Sequence, residues 1–216
     1  MPGLGQRVQA AIPMANAMLI WNKEPRYDTF LTVAGAPGVG VVPFFSIPRG
    51  AIGSGFAAAK TEAETNMNAG SQIGKPNQFL VHGFMVQAQV SLAHATTITA
   101  IQDFAAIYTT GLFRYILGTN TQLEVPLSAI PAGPGPTGFA SGAVAGAPLE
   151  TAAVVNGTPL ITHYYDFRTE DGLPTLLDGS QSFRCELIYT GAGGNLITTA
   201  STRIKCFVMG IYGKQM

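Results

Sequence analysis

A glycine-rich segment that follows an apolar run is the first place where this sequence could bind a phosphate. Residues 34–42 read AGAPGVGVV, with Gly35 and Gly40 at the spacing of a phosphate loop. Such a loop also needs a lysine and a serine or threonine directly after the second glycine. Val41 and Val42 occupy those positions, and β-branched residues favour a strand over the required helix. We therefore interpret the segment as a Gly/Pro turn between two strands.

Histidines and carboxylates are the next candidates for chemistry, as metal ligands or as acid–base groups. The histidines are His82, His94 and His163, and the carboxylates that could join them are Asp103, Asp166 and Glu186. A metal-binding jelly roll usually brings two histidines one residue apart on a strand, whereas His82 and His94 are far apart in this chain. A metal site needs three converging ligands. We expect histidines at strand ends or on the surface, and no metal site.

No arrangement of side chains typical of an enzyme stands out. Asp166, Glu170 and Asp171 flank a turn and are expected to be solvated. No serine has the glycine-flanked elbow of an esterase, and a glycosidase carboxylate pair cannot be assigned from spacing alone. We predict no catalytic residue and no cofactor.

A weak sugar-binding ledge is the remaining possibility near the start of the chain. Glu24 and Asp28 lie close in sequence to Trp21 and Tyr27. Aromatic rings beside carboxylates can hold a sugar, but one such pair is a weak signal.

The scarcity of charge is the most informative feature of the composition. Among 216 residues, 12 are basic and 12 acidic, so the formal net charge is zero and only 11% of residues are charged. Ordinary soluble domains have about 25%. The chain lacks a lysine or arginine run, which argues against direct nucleic-acid binding. Either neighbouring subunits cover the surface, or uncharged polar residues build it, as in some secreted binding domains.

The chain is divided into an N-terminal docking arm, residues 1–25, and one β-sandwich domain, residues 26–216. Residues 10–21 are apolar but contain Pro13 and Asn16, and they are too few for a membrane span. We expect the arm to pack against its own domain or a neighbour.

Alternating residues predict a half-buried strand over 84–92, with Phe84, Val86, Ala88, Val90 and Leu92 on one face. The other face carries Gln87, Gln89 and Ser91.

Helical spacing then predicts one short helix, over about 97–109, whose apolar face contains Ile98, Ile101, Ala105 and Tyr108. Thr96 or Thr97 would cap its start, and Gly111 would end it. A strand over 112–117 and a turn over 118–120 follow.

The second half of the chain alternates long loops with strands. Residues 125–148 are rich in proline and glycine and predict a long loop that serves as an interaction surface or a flexible linker. Residues 160–167 predict a strand, and residues 168–182 are rich in turn formers.

The last two alternating segments, 182–189 and 202–212, predict a closing hairpin. One register would place Cys185 opposite Cys206 and Glu186 opposite Lys205. We favour free thiols over a disulfide.

These elements indicate an all-β fold: an antiparallel β-sandwich, a single jelly roll, with one short helix and long Gly/Pro loops.

Four stretches together resemble a known family. They read ETNMNAG (64–70), FLVHGFMVQAQV (79–90), LFRYILGTN (112–120) and VPLSAIPAGPGPTG (125–138). Their order resembles jelly-roll major capsid proteins of tailless icosahedral bacteriophages, including those with an internal membrane.

The resemblance implies a shell subunit without catalytic residues, located in the virion and assembled in the host cytoplasm. Its partners would be copies of itself, other capsid proteins and, where present, the internal lipid membrane. The arm 1–25 and the loop 125–148 would make the contacts between subunits. The alternative is a β-sandwich module of a phage fibre or spike that binds a receptor or glycan. An enzyme of the cupin or glycosidase kind ranks third.

Overall fold

A computed structural model describes residues 19–35, 38–90, 99–131, 139–142, 150–153, 164–168, 172–189 and 195–215. Within these residues the chain forms twelve strands and one α-helix. They are β1 (Leu19–Lys23), β2 (Arg26–Leu31), β3 (Val41–Phe44), β4 (Gln78–Val90), α1 (Thr99–Thr110), β5 (Gly111–Leu117), β6 (Asn120–Pro126), β7 (Phe139–Gly142), β8 (Glu150–Ala153), β9 (Tyr165–Asp166), β10 (Thr175–Asp178), β11 (Phe183–Tyr189) and β12 (Thr202–Gln215).

The strands form two antiparallel sheets that pack together as a sandwich. One sheet has the order β2-β12-β4-β10, with β1 also paired to β12 and β9 also paired to β4, and the other has the order β3-β11-β5-β6. Strands β7 and β8 form a separate pair. The chain crosses repeatedly from one sheet to the other, so that its first and last strands become neighbours. This order is that of a jelly roll, and the predicted fold class is confirmed.

The core-facing residues of strand β4 could be predicted only in part from the sequence. The predicted alternation holds for Phe84, Val86 and Ala88, which all point into the core. Met209 pairs with Gly83 and Gly210 pairs with Val81, so His82 is left without a partner in a β-bulge. A bulge shifts the alternation by one residue, and Val81 on its other side therefore also faces the core.

Aromatic rings from both sheets meet in the middle of the sandwich. The ring of Phe84 in β4 lies 5.2 Å from that of Phe113 and 4.9 Å from that of Tyr115, both in β5. Phe167, just after β9, lies 5.3 Å from Phe84. Tilted aromatic pairs at such distances stabilise a core beyond the effect of burial alone.

The outer edge of β4 is covered by successive parts of the chain. Strand β10 pairs with residues 78–81 and β9 pairs with residues 83–84. Farther along, the N–H of Val86 donates to the carbonyl of Pro131. The Tyr108 hydroxyl of α1 then accepts from the N–H of Ala88 and donates to the carbonyl of Val86. Covering an edge in this way satisfies its backbone groups and blocks unwanted pairing.

Helix α1 confirms the predicted helix but corrects its buried face. Asp103, Phe104 and Ile107 are buried, whereas Ala105, which we placed on the apolar face, is exposed. The proposed caps at residues 96–97 lie outside the described residues. Gly111 begins β5 directly after the helix, and a Cβ there would lie 2.9 Å from the carbonyl oxygen of Ile107.

Three predicted segments contain more regular structure than expected. Residues 19–23 of the proposed arm form β1, which pairs with the end of β12, and residues 1–18 lie outside the described residues. In the predicted loop 125–148, the first residues end β6 and lead into a 3-10 helix, Leu127–Ala129, and residues 139–142 form β7. The turn-rich segment 168–182 contains β10. Of the predicted strand 160–167, the described part contains only β9.

The predicted closing hairpin is wrong. Strand β11 belongs to the four-stranded sheet, where it pairs with β3 and β5, whereas β12 belongs to the six-stranded sheet. Alternation predicts that two segments are strands, but it does not say which strands pair. In this jelly roll the consecutive strands β11 and β12 go to opposite sheets, whereas β5 and β6 pair in one sheet.

Replacing Tyr108 with phenylalanine is expected to lower the free energy of unfolding by about 1–3 kcal/mol, because the N–H of Ala88 loses its hydroxyl acceptor. The matched control is Tyr115→Phe, whose buried hydroxyl has no hydrogen-bond partner among the described residues, and this change is expected to be neutral or stabilising. Urea unfolding measures both. Equal losses for the two variants would contradict the role given to Tyr108.

Candidate functional site

A buried ion pair links strand β2 to the long segment 45–77 between β3 and β4. The Lys60 ammonium lies 2.7 Å from the Asp28 carboxylate, and both side chains are fully buried. The other carboxylate oxygen of Asp28 accepts from the N–H of Phe45 at 2.6 Å. Burial raises the pKa of Asp28, and the charge and hydrogen bond of Lys60 oppose that rise. A buried charge needs such partners, so this pair holds the segment to the sheet.

Positive φ angles in segment 45–77 bring its backbone close to β2. Phe45 has a φ of 69° and is fully buried, a conformation that is unfavourable for a non-glycine residue. Farther along, the N–H of Leu31 donates to the carbonyl of Ser54. A Cβ at Gly55, which has a φ of 81°, would lie 1.8 Å from the carbonyl oxygen of Leu31. Only glycine permits this close crossing over the end of β2.

Further hydrogen bonds from segment 45–77 cover the edge of β2. The hydroxyl of Thr29 donates to the carbonyl of Glu64, and the N–H of Tyr27 donates to the side chain of Asn66. The hydroxyl of Tyr27 donates to the carbonyl of Glu62. The segment therefore replaces a neighbouring strand along this edge.

The predicted sugar-binding ledge is not supported by this arrangement. Asp28 points into the interior instead of the solvent. Glu24 pairs with Arg26, whose guanidinium lies 3.8 Å from the centre of the Tyr212 ring. Lys60, the partner that determines the role of Asp28, has no sequence pattern around it that distinguishes it from a surface lysine.

Asp103 also has a structural position. It is buried in α1 and accepts hydrogen bonds from the N–H and hydroxyl of Thr199 and from the N–H of Ala200. These bonds hold the segment before β12 against the helix. The carboxylate is thus occupied by backbone and side-chain donors.

His82 is the one predicted histidine among the described residues, since His94 and His163 lie outside them. It occupies the bulge of β4, and burial lowers its pKa, as does the nearby Arg168. Asp166 is exposed and is paired with Arg168, which lowers the pKa of Asp166. Within the described ranges, no group of three or more metal-binding side chains converges. Glu170 and Asp171 lie outside those ranges.

The predicted contact between Glu186 and Lys205 does not form. Glu186 pairs with Arg184 on its own strand, and Lys205 donates to the carbonyl of Ala63. The two residues lie in different sheets.

The two cysteines nevertheless lie close together, although not as partners in a hairpin. Cys185 and Cys206 are free and fully buried. They come from opposite sheets, and Cys185 lies close enough to Cys206 to influence the pKa of its thiol. Burial raises the pKa of Cys206 well above its ordinary value. Both cysteines belong to the buried hydrophobic core.

The surface that remains has few free charges and several exposed apolar side chains. Arginines pair with neighbouring carboxylates in Arg49–Glu62, Arg114–Glu124 and Arg184–Glu186. Among the described residues, the large exposed apolar side chains are those of Ile20, Val33, Val41, Ile52, Leu173 and Ile197.

Comparisons with known proteins leave the family open. No family model matches the chain, and neither the curated proteins nor the solved structures contain a match. Helix α1 has only 12 residues, and the described part of the chain contains no apolar helix of membrane-spanning length.

Replacing Lys60 with methionine is expected to lower the free energy of unfolding by about 3–5 kcal/mol, because Asp28 would be left buried without its cation. The double change Lys60→Met with Asp28→Leu should cost less than the sum of the two single changes. Arg49→Gln is the control, since it breaks an exposed pair on the same segment and should cost less than about 1 kcal/mol. Equal effects of Lys60→Met and Arg49→Gln would contradict the proposed role of the pair.

Thiol titration tests the cysteine pair. In the native protein a water-soluble aromatic disulfide reagent should react with neither thiol during the assay, because both side chains are fully buried. After unfolding in guanidinium chloride without reductant, it should react with two thiols per chain. Finding no reactive thiol after unfolding would reveal a disulfide instead.

Proposed function

We propose that this protein is a structural capsid subunit that assembles with copies of itself through lateral contacts. The observation that carries the proposal is the combination of a jelly roll with a composition of few charged residues and no net charge. Two of the candidate carboxylates, Asp28 and Asp103, are used to hold the fold together.

The scarcity of charge has a direct physical consequence for such a subunit. A neutral chain with 11% charged residues lacks the net charge that keeps proteins apart in solution. Pairing of arginines with glutamates reduces the free charge further. Repeated burial of this surface between subunits would give the protein a stable state, and the two-sheet framework provides rigid faces for that purpose.

The proposal includes a location and partners. The protein would reside in the virion of a tailless icosahedral bacteriophage after assembly in the host cytoplasm. Its partners would be further copies, other capsid proteins and, in a membrane-containing virus, the internal lipid membrane. No catalytic step is assigned to it.

The test is the mass of the purified protein as a function of concentration. Size-exclusion chromatography with light scattering should give large or polydisperse assemblies, and electron microscopy of the same fractions should show capsomers or shells. A small closed oligomer that binds glycans on an array would favour the fibre or spike module instead. A monomer at high concentration would contradict the proposal.

A further inference from the structure

The face of the four-stranded sheet that points away from the core carries its apolar and charged side chains in separate rows. The proposed function does not by itself require this pattern. In β3 and β11, alternate residues such as Val42 and Leu187 are buried, so that their neighbours point outward. We define the outer face by the outward residues Val41, Pro43, Leu112, Arg114, Glu124, Pro126, Arg184, Glu186 and Ile188.

One row of apolar side chains crosses all four strands of the outer face. Ile188 pairs with Val41 on one side and with Leu112 on the other, and Leu112 pairs with Pro126. Val41 is 47% exposed, Pro126 is exposed, and the two central residues are half-buried. Cross-strand partners on one face lie close together, so the four side chains form a continuous apolar strip.

The adjacent row on the outer face is charged. Glu186 pairs in register with Pro43 and Arg114, and Arg114 pairs with Glu124. The guanidinium of Arg114 lies 2.6 Å from the Glu124 carboxylate, and Arg184 lies 2.7 Å from Glu186. Two arginines and two glutamates thus give the outer face no net charge.

The apolar row is complementary to itself, and so are the two central positions of the charged row, whereas Pro43 and Glu124 at the ends of the charged row would face each other. A two-fold axis parallel to the strands, between the central strands β11 and β5, would exchange the positions of those two strands. Glu186 of one copy would then lie over Arg114 of the other, and the reverse. The same operation places Ile188 over Leu112 and Val41 over Pro126. Opposite charges and apolar side chains would therefore meet in matching rows.

We propose that the outer face of the four-stranded sheet binds the same face of a second copy across this two-fold axis. Such an isologous contact uses one surface on both partners. Aligned packing of two sheets is also a common arrangement. This inference rests on the proposed function, since it names one of the lateral contacts that a shell subunit needs.

The expected contact is small. Strands about 4.8 Å apart make a four-stranded face roughly 15–20 Å wide, so each partner would bury on the order of several hundred Å². That area is at or below the lower end of stable interfaces, which bury about 800 Å² per partner. A single contact would therefore be weak, and its strength would come from repetition in the assembly.

Charge exchange at the centre of the outer face tests the proposal. In Glu186→Arg and in Arg114→Glu, each alone, like charges would face each other across the axis, so self-association should weaken by at least about tenfold. Mixed in equal amounts, the two variants would present arginines to glutamates, and association should return. Light scattering and analytical ultracentrifugation measure the mass in each case, and thermal unfolding checks that each variant is folded.

A second pair of variants keeps the test valid if a charge variant fails to fold. Val41→Glu lies on the apolar row and should weaken association, whereas Ile52→Glu, at a residue 66% exposed on segment 45–77, should leave it unchanged. The proposed contact through the outer face would be wrong if the wild type assembled and Val41→Glu had no effect. It would also be wrong if the folded charge variants did not associate again on mixing. Either result would leave the capsid proposal intact. A wild-type monomer at all concentrations would overturn both.

Discussion

The buried pair of Asp28 and Lys60 is the constraint on which the rest of this sandwich depends. The ammonium and carboxylate are 2.7 Å apart and fully buried, so neither can lose its partner without leaving an isolated charge in the interior. Because Lys60 must stay next to Asp28, the pair fixes where segment 45–77 lies against β2. The segment in turn covers the edge of β2, which would otherwise offer unpaired backbone groups to any passing strand.

In the six-stranded sheet, the free edge of β2 and the outer edge of β4 are closed by different means. Segment 45–77 closes β2 with a buried ion pair and side-chain hydrogen bonds. Short strands and the Tyr108 hydroxyl close β4. A protein with few charges cannot rely on repulsion to prevent edge-to-edge pairing, so it must cover its edges physically.

The sequence predicted the layers of this fold better than its connections. Alternation is local, so Phe84, Val86 and Ala88 were assigned correctly to the core. The bulge at His82 depends on the partner strand and left no local signal. The nearness of Cys185 and Cys206 was predicted from a hairpin that does not exist, and it arises because two sheets face each other. The role of Asp28 was missed because Lys60 approaches it through space from a segment without regular structure.

Pairing between β1 and β12 has a consequence for how the chain reaches this structure. Leu19 lies opposite Gln215, so the two extremes of the described chain are joined side by side in one sheet. Contacts of such large sequence separation slow folding, because nearly the whole chain must be ordered before they can form. The domain would therefore complete its largest sheet only after synthesis has passed residue 215.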